Sequence, residues 1–197
     1  LEWLEYADIY PISHKIVLKN GQEYVFGADK YAYVFVEHKD EKVFLKFYQP
    51  YNKSGYKWSS NIDRSVWSLW TKIPDFGNNL ILASSLKDCL NISANLGIPT
   101  VCLQGEGYLP KEHVMRNIKS RYRRIIVFYD NDYTNPDNPG RKDSIRLSQE
   151  YNLYRVEIPE EYEAKDPSDL FKKYGKERYL EIMNGLLDKV LWKNGEK

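Results

Sequence analysis

A chain of 197 residues has room for one large domain or two small ones. With 42% hydrophobic residues and 29% charged residues of both signs it can bury a core and stay solvated, which excludes a disordered tail. The formal net charge of +1 gives no overall attraction to nucleic acid, so any such contact must come from a local basic face.

The first sixty residues read as β. Lys15-Ile16-Val17-Leu18 and Glu23-Tyr24-Val25-Phe26 flank Asn20-Gly21, two residues that tolerate positive φ and so mark a hairpin. Residues 31–38 and 43–48, dense in aromatic and β-branched side chains, flank a charged turn and complete an antiparallel meander. Residues 49–61 lose the alternation and read as a loop, 64–71 as a short helix, and 74–79 as a loop that divides the chain into segments 1–76 and 77–197.

Beyond that boundary short apolar strands alternate with helices: strand 80–83, helix 86–96 closed by Gly97, strand 100–103, and a helix from Pro110 to 118. Strand 124–129, helix 142–151, strand 154–158 and two helices, 167–174 and 177–187, follow. Alternation of this kind predicts a parallel sheet covered on both faces, with ligands held beyond the carboxyl ends of its strands. The expected fold class is therefore α/β, about four parallel strands in a Rossmann-like layer, preceded by a small antiparallel β-rich subdomain. Cys89 and Cys102 stand in apolar runs, read as buried reduced thiols, and are too few for a disulfide framework or a cysteine-only zinc ribbon. No apolar run nears the ~20 residues of a membrane span. Acids occupy the first residues where a secretory leader carries bases, so a cytoplasmic protein without membrane contact is expected.

The strand ends carry the chemistry. After the third strand come Asp130-Asn131-Asp132, whose carboxylates point the same way if the backbone stays extended, an arrangement that suits a hard cation. The same residues also suit an ordinary turn. After the fourth strand, Lys165-Asp166-Pro167-Ser168-Asp169 has the pattern of a helix start, with Asp166 as cap, and both Asp166 and Asp169 can join an acidic cluster. After the first strand, Ser85 and Asp88 have capping-box spacing. After the second, Gln104-Gly105-Glu106-Gly107 places Glu106 at the same sheet edge. Like charges gathered in one crevice are unfavourable unless a cation neutralises them, which points to a divalent metal.

The order of these segments resembles the TOPRIM domain of primases and topoisomerases. Leu80-Ile81-Leu82-Ala83-Ser84-Ser85-Leu86-Lys87-Asp88 is similar to its first motif, Ile125 to Asp132 to its second, and Lys165-Asp166-Pro167-Ser168-Asp169 to its third. Phe47-Tyr48-Gln49-Pro50 and Lys57-Trp58-Ser59-Ser60-Asn61 resemble the segment that precedes TOPRIM in phage-like, DnaG-type primases. The resemblance implies a catalytic core that makes RNA primers from nucleoside triphosphates on a single-stranded DNA template, with Mg²⁺ or Mn²⁺ as cofactor and a replicative helicase as partner. It implies Asp130, Asp132 and Asp88 as catalytic residues, to which Glu106 is added from its place at the neighbouring strand end, and Asp130, Asp132, Asp88, Asp169 and Asp166 as metal ligands. Lys46, Lys53, Lys57, Trp58, Arg64 and Lys87 are the implied contacts to nucleic acid and nucleotide; bases interleaved with aromatics suit single strands. Ser84 departs from the family pattern, which has Glu there, and Glu106 is the candidate replacement. A TOPRIM-type nuclease and a non-catalytic replisome-binding module are the alternatives.

Overall fold

The structure, a computed structural model, describes residues 2–53, 55–105 and 107–191. It divides into two compact units, 1–66 and 67–197.

The first unit opens on a single helical turn, α1 (Glu2–Tyr6), in a stretch read as β; five residues are too few to show helical periodicity. Strands β1 (Ile9–Pro11), β4 (Tyr33–Lys39), β5 (Lys42–Tyr48) and β6 (Trp58–Ser60) pair antiparallel in the order β1-β4-β5-β6. Between β1 and β4, strands β2 (His14–Lys19) and β3 (Gln22–Gly27) form a separate hairpin. Its turn has Asn20 at φ 52° and Gly21 at φ 76°, the double positive φ that the Asn-Gly pair predicts. Strand β6 lies inside the expected loop 49–61, where three residues are too short to reveal alternation.

The second unit holds strands β7 (Gly77–Ala83), β8 (Thr100–Cys102), β9 (Tyr122–Phe128) and β10 (Tyr154–Arg155). They form an all-parallel sheet in the order β10-β9-β7-β8. The helices are α2 (Leu86–Leu96), α3 (Glu112–Arg121), α4 (Pro139–Tyr151) and α5 (Pro167–Leu191), which breaks at Gly175 (φ 71°, ψ 175°) into the two helices expected. Leu80 and Leu82 of β7 pack into a core with Val114, Met115 and Ile118 of α3 and Leu147 of α4. α2 packs on β7 and on α5, and all four residues from Leu80 to Ala83 are buried, as a sheet covered on both faces requires.

Residues 64–71 do not form the expected helix. Leu69 is left-handed (φ 65°), only Trp70–Lys72 makes a 3-10 turn, and Ser68 instead bridges to Cys102 beside β8. Trp67 and Ile73 lie in the core of the second unit. β7 starts at Gly77, within a stretch whose Gly-Asn-Asn composition suggests a loop. A side chain at Gly77 would stand 2.7 Å from the Tyr122 ring, so glycine serves close packing there rather than a turn.

Candidate metal centre

From β7 the chain passes to β8 on one side and returns to β9 on the other, so the crevice beyond the carboxyl ends of β7 and β9 is the switch point of the sheet. Ala83 and Phe128 are paired at those ends. The chain therefore leaves both strands side by side, and the Ser84 hydroxyl donates to a carboxylate oxygen of Asp130.

Ser85 caps α2: its hydroxyl accepts from the Asp88 amide at 3.3 Å and donates to the Asp88 carboxylate. This turns Asp88 inward, where it is fully buried and its other oxygen accepts from the Ser168 hydroxyl (2.6 Å) and amide (3.2 Å). Asp166, also buried, accepts from the Asp169 amide at 2.7 Å as the cap of α5 and from the Lys87 ammonium at 2.9 Å. The capping geometry expected of Ser85 and Asp166 thus also delivers their loops to one point. One carboxylate oxygen from each of Asp88, Asp130 and Asp166 lies within 4.8 Å of the others.

Two residues without an earlier assignment build this point. Asn131, nearly fully buried, donates its amide N–H to the Lys165 carbonyl (2.8 Å) and its side-chain nitrogen to the Ile158 carbonyl (2.9 Å), and accepts from Asn138 (2.9 Å). It ties the end of β9 to the loop that carries Asp166 and to the cap of α4. Gly140, in the first turn of α4, lets that helix approach the backbone of Asp130; an added Cβ would stand 2.6 Å from the Asp130 carbonyl oxygen. Asn138-Pro139 is a readable helix start, and Asn138 does cap α4, which begins at Pro139, three residues before the start expected from periodicity.

Asp132 is half-buried and is not one of the three clustered acids. The Tyr133 amide bonds the Asn131 carbonyl (2.9 Å), a turn centred on Asp132 that ends the extended backbone, and Asp132 accepts from Thr134 at 2.8 Å. Asp169 is half-buried in the first turn of α5, beside the cluster rather than in it. Glu106 lies outside the described residues. Lys87 lies at the cluster, whereas Lys46, Lys53, Lys57, Trp58 and Arg64 belong to the first unit.

Negative charge gathers at the cluster. Burial, and next the charge of Asp166, push the Asp88 carboxyl up to about 6, against the pull of Lys87 and the hydrogen bonds from Ser168 and Ser85. A proton held in the folded state but released by the unfolded chain stabilises folding below the ordinary aspartate value of 3.8, and that contribution is lost as pH rises through 6. In the metal-free protein this group should cost up to about 3 kcal/mol between pH 4 and pH 7. Urea unfolding in EDTA should show that slope in wild type and lose it in Asp88→Asn; an identical slope in both would remove Asp88 as its source. Divalent-ion binding should weaken below pH 6 for the same reason.

No family model and no curated protein matches this chain. Solved structures do. The chain is similar to a DnaG primase catalytic domain bound to single-stranded DNA, at 13% identity and a TM-score of 0.66, over 93% of this chain and 67% of that one. It is similar to the primase fragment of the bacteriophage T7 primase-helicase protein, at 15% identity and a TM-score of 0.55, over 92% of this chain and 70% of that one. The E. coli primase catalytic core matches at 16% identity and a TM-score of 0.59, over 93% of this chain and 59% of that one.

Proposed function

We propose, from the premise that this chain has the fold of a DnaG-type primase catalytic core, that it synthesises RNA primers on single-stranded DNA with a divalent metal at a TOPRIM-like centre. The observation that carries this reading is the meeting of Asp88, Asp130 and Asp166 at the switch point of the parallel sheet. Three carboxylates, two of them buried, with the Lys87 ammonium beside those two, suit a hard cation with oxygen ligands, and Mg²⁺ or Mn²⁺ fits that donor set.

When bound, the ion would neutralise phosphate charge during attack of a 3′-hydroxyl on the α-phosphate of a nucleoside triphosphate. Asp88 and Asp130 would hold it from the two sides of the crevice, and Asp166 from the α5 cap. Ser84 keeps Asp130 turned into the cluster through its hydrogen bond, and Ser168 does the same for Asp88. Asp132, two residues after Asp130, would hold a water or a second ion in this reading, and Glu106, which lies outside the described residues, is the candidate fourth carboxylate. Primer synthesis with labelled nucleotides on single-stranded DNA, with Mn²⁺ and with EDTA, tests the reading. Metal-dependent nicking without synthesis would favour a nuclease instead, and chelator-indifferent DNA binding alone a non-catalytic module.

The template contact belongs to the first unit in this proposal. Trp58 is half-exposed on β6, stacked on Tyr48 (4.1 Å, 20°) with the Lys46 ammonium 4.8 Å from its ring centroid. Pairing of β5 with β6 sets Tyr48 directly opposite Trp58. An aromatic surface with a cation beside it suits a stacked base and its phosphate. Lys53, Lys57 and Arg64 are exposed in the same unit, as are Tyr51 and Tyr56. Trp58→Ala should weaken single-stranded DNA binding by about 1–3 kcal/mol, roughly five- to 150-fold. Fluorescence anisotropy on an oligonucleotide reads this, and unchanged affinity would move the template site elsewhere. A replicative helicase is the proposed partner, by analogy with the T7 primase-helicase. A cytoplasmic setting is proposed with it, and among the described residues no helix is long and apolar enough to cross a membrane.

A further inference from the structure

Lys87 occupies a position that its own helix does not favour. It follows the cap and Leu86 in the first turn of α2, where the helix dipole disfavours a cation. Its side chain is 55% exposed, yet its ammonium lies 2.9 Å from an oxygen of Asp166 and 3.9 Å from an oxygen of Asp88, whose side chains are 2% and 1% exposed. A flexible stem thus reaches from solvent to the mouth of the acid pocket. The partner there explains the placement.

Three carboxylates meet within 4.8 Å, and the Lys87 ammonium faces two of them, Asp88 and Asp166. A divalent ion bound by the Asp166 carboxylate would compete with the ammonium for that group and repel it at close range. Because half of the Lys87 side chain already contacts water, its departure uncovers little, and the incoming ion takes over the charge of the buried Asp166.

We propose that Lys87 is a built-in counter-ion: it holds Asp88 and Asp166 together before metal arrives and is displaced from Asp166 when a divalent cation enters. The inference rests on the metal reading above and adds a residue that opposes the ion while stabilising the site that receives it. A lysine with only a structural role would support the site equally in both states.

Mn²⁺ binding by titration calorimetry and melting temperature in EDTA and in saturating Mn²⁺ test it, on wild type, Lys87→Met and Lys87→Gln. Both variants should bind Mn²⁺ about tenfold more tightly than wild type. Both should melt lower than wild type in EDTA, with the gap closed by saturating Mn²⁺. Equal or weaker Mn²⁺ affinity in the variants, or a melting gap that metal leaves unchanged, overturns the counter-ion role and leaves the metal centre standing. No Mn²⁺ binding to any of the three proteins overturns both.

Discussion

Asp130→Asn is expected to lower metal-dependent primer synthesis by about a hundredfold or more while the fold survives. Asn keeps the size of Asp130 and an oxygen that can still accept from Ser84, so the connection between the ends of β7 and β9 remains. What is lost is one of three negative charges at the centre. Its removal relieves repulsion with Asp88 and Asp166, so the melting temperature in EDTA should hold or rise. Mn²⁺ affinity should fall together with activity. Loss of activity with a collapse in stability would instead make Asp130 a structural residue, and retained activity would take it out of the mechanism.

Gly140→Ala should also damage the site, against the expectation from helix propensity. Alanine in the first turn of a helix ordinarily gains up to ~1 kcal/mol over glycine. Here its Cβ would lie 2.6 Å from the Asp130 carbonyl oxygen and 3.0 Å from the Asp130 Cβ, and the nearer obstacle is backbone that cannot rotate away. Either α4 shifts off the sheet or the Asp130 loop moves, at a cost of about 1–3 kcal/mol. In a chain of this length that lowers the melting temperature by several degrees, at ~2–4 °C per kcal/mol. Mn²⁺ affinity should drop as well, because Asp130 no longer meets Asp88 and Asp166. A Gly140→Ala protein that melts higher and binds Mn²⁺ normally would show that the helix yields without cost.

The fold was legible where local chemistry and global architecture agree. Asn20-Gly21 makes its hairpin because both residues accept positive φ, and Gly97 closes α2 in the left-handed conformation for the same reason. The four parallel strands follow from apolar runs too short for helices, and Gly175 marks the break in α5. Of the metal centre, Asp88 was legible as the capping-box partner of Ser85 and Asp166 as a helix cap before they were legible as a pair. What brings them together is the crossover order of the sheet, which no local pattern encodes. The same limit hid Asn131, three of whose hydrogen bonds go to Lys165, Ile158 and Asn138, up to 34 positions away. It also hid Gly140, whose importance lies in a backbone contact. The expectation that Asp130 and Asp132 point the same way assumed an extended chain, whereas the turn at Asp132 directs its carboxylate to Thr134.

A manganese-soaked crystal read by anomalous scattering tests the metal centre most directly. The account predicts one strong peak bound by carboxylate oxygens of Asp88, Asp130 and Asp166, with the Lys87 ammonium withdrawn from Asp166. A manganese-saturated crystal without a peak there, with the three acids as close as before and Lys87 still in place, would contradict it.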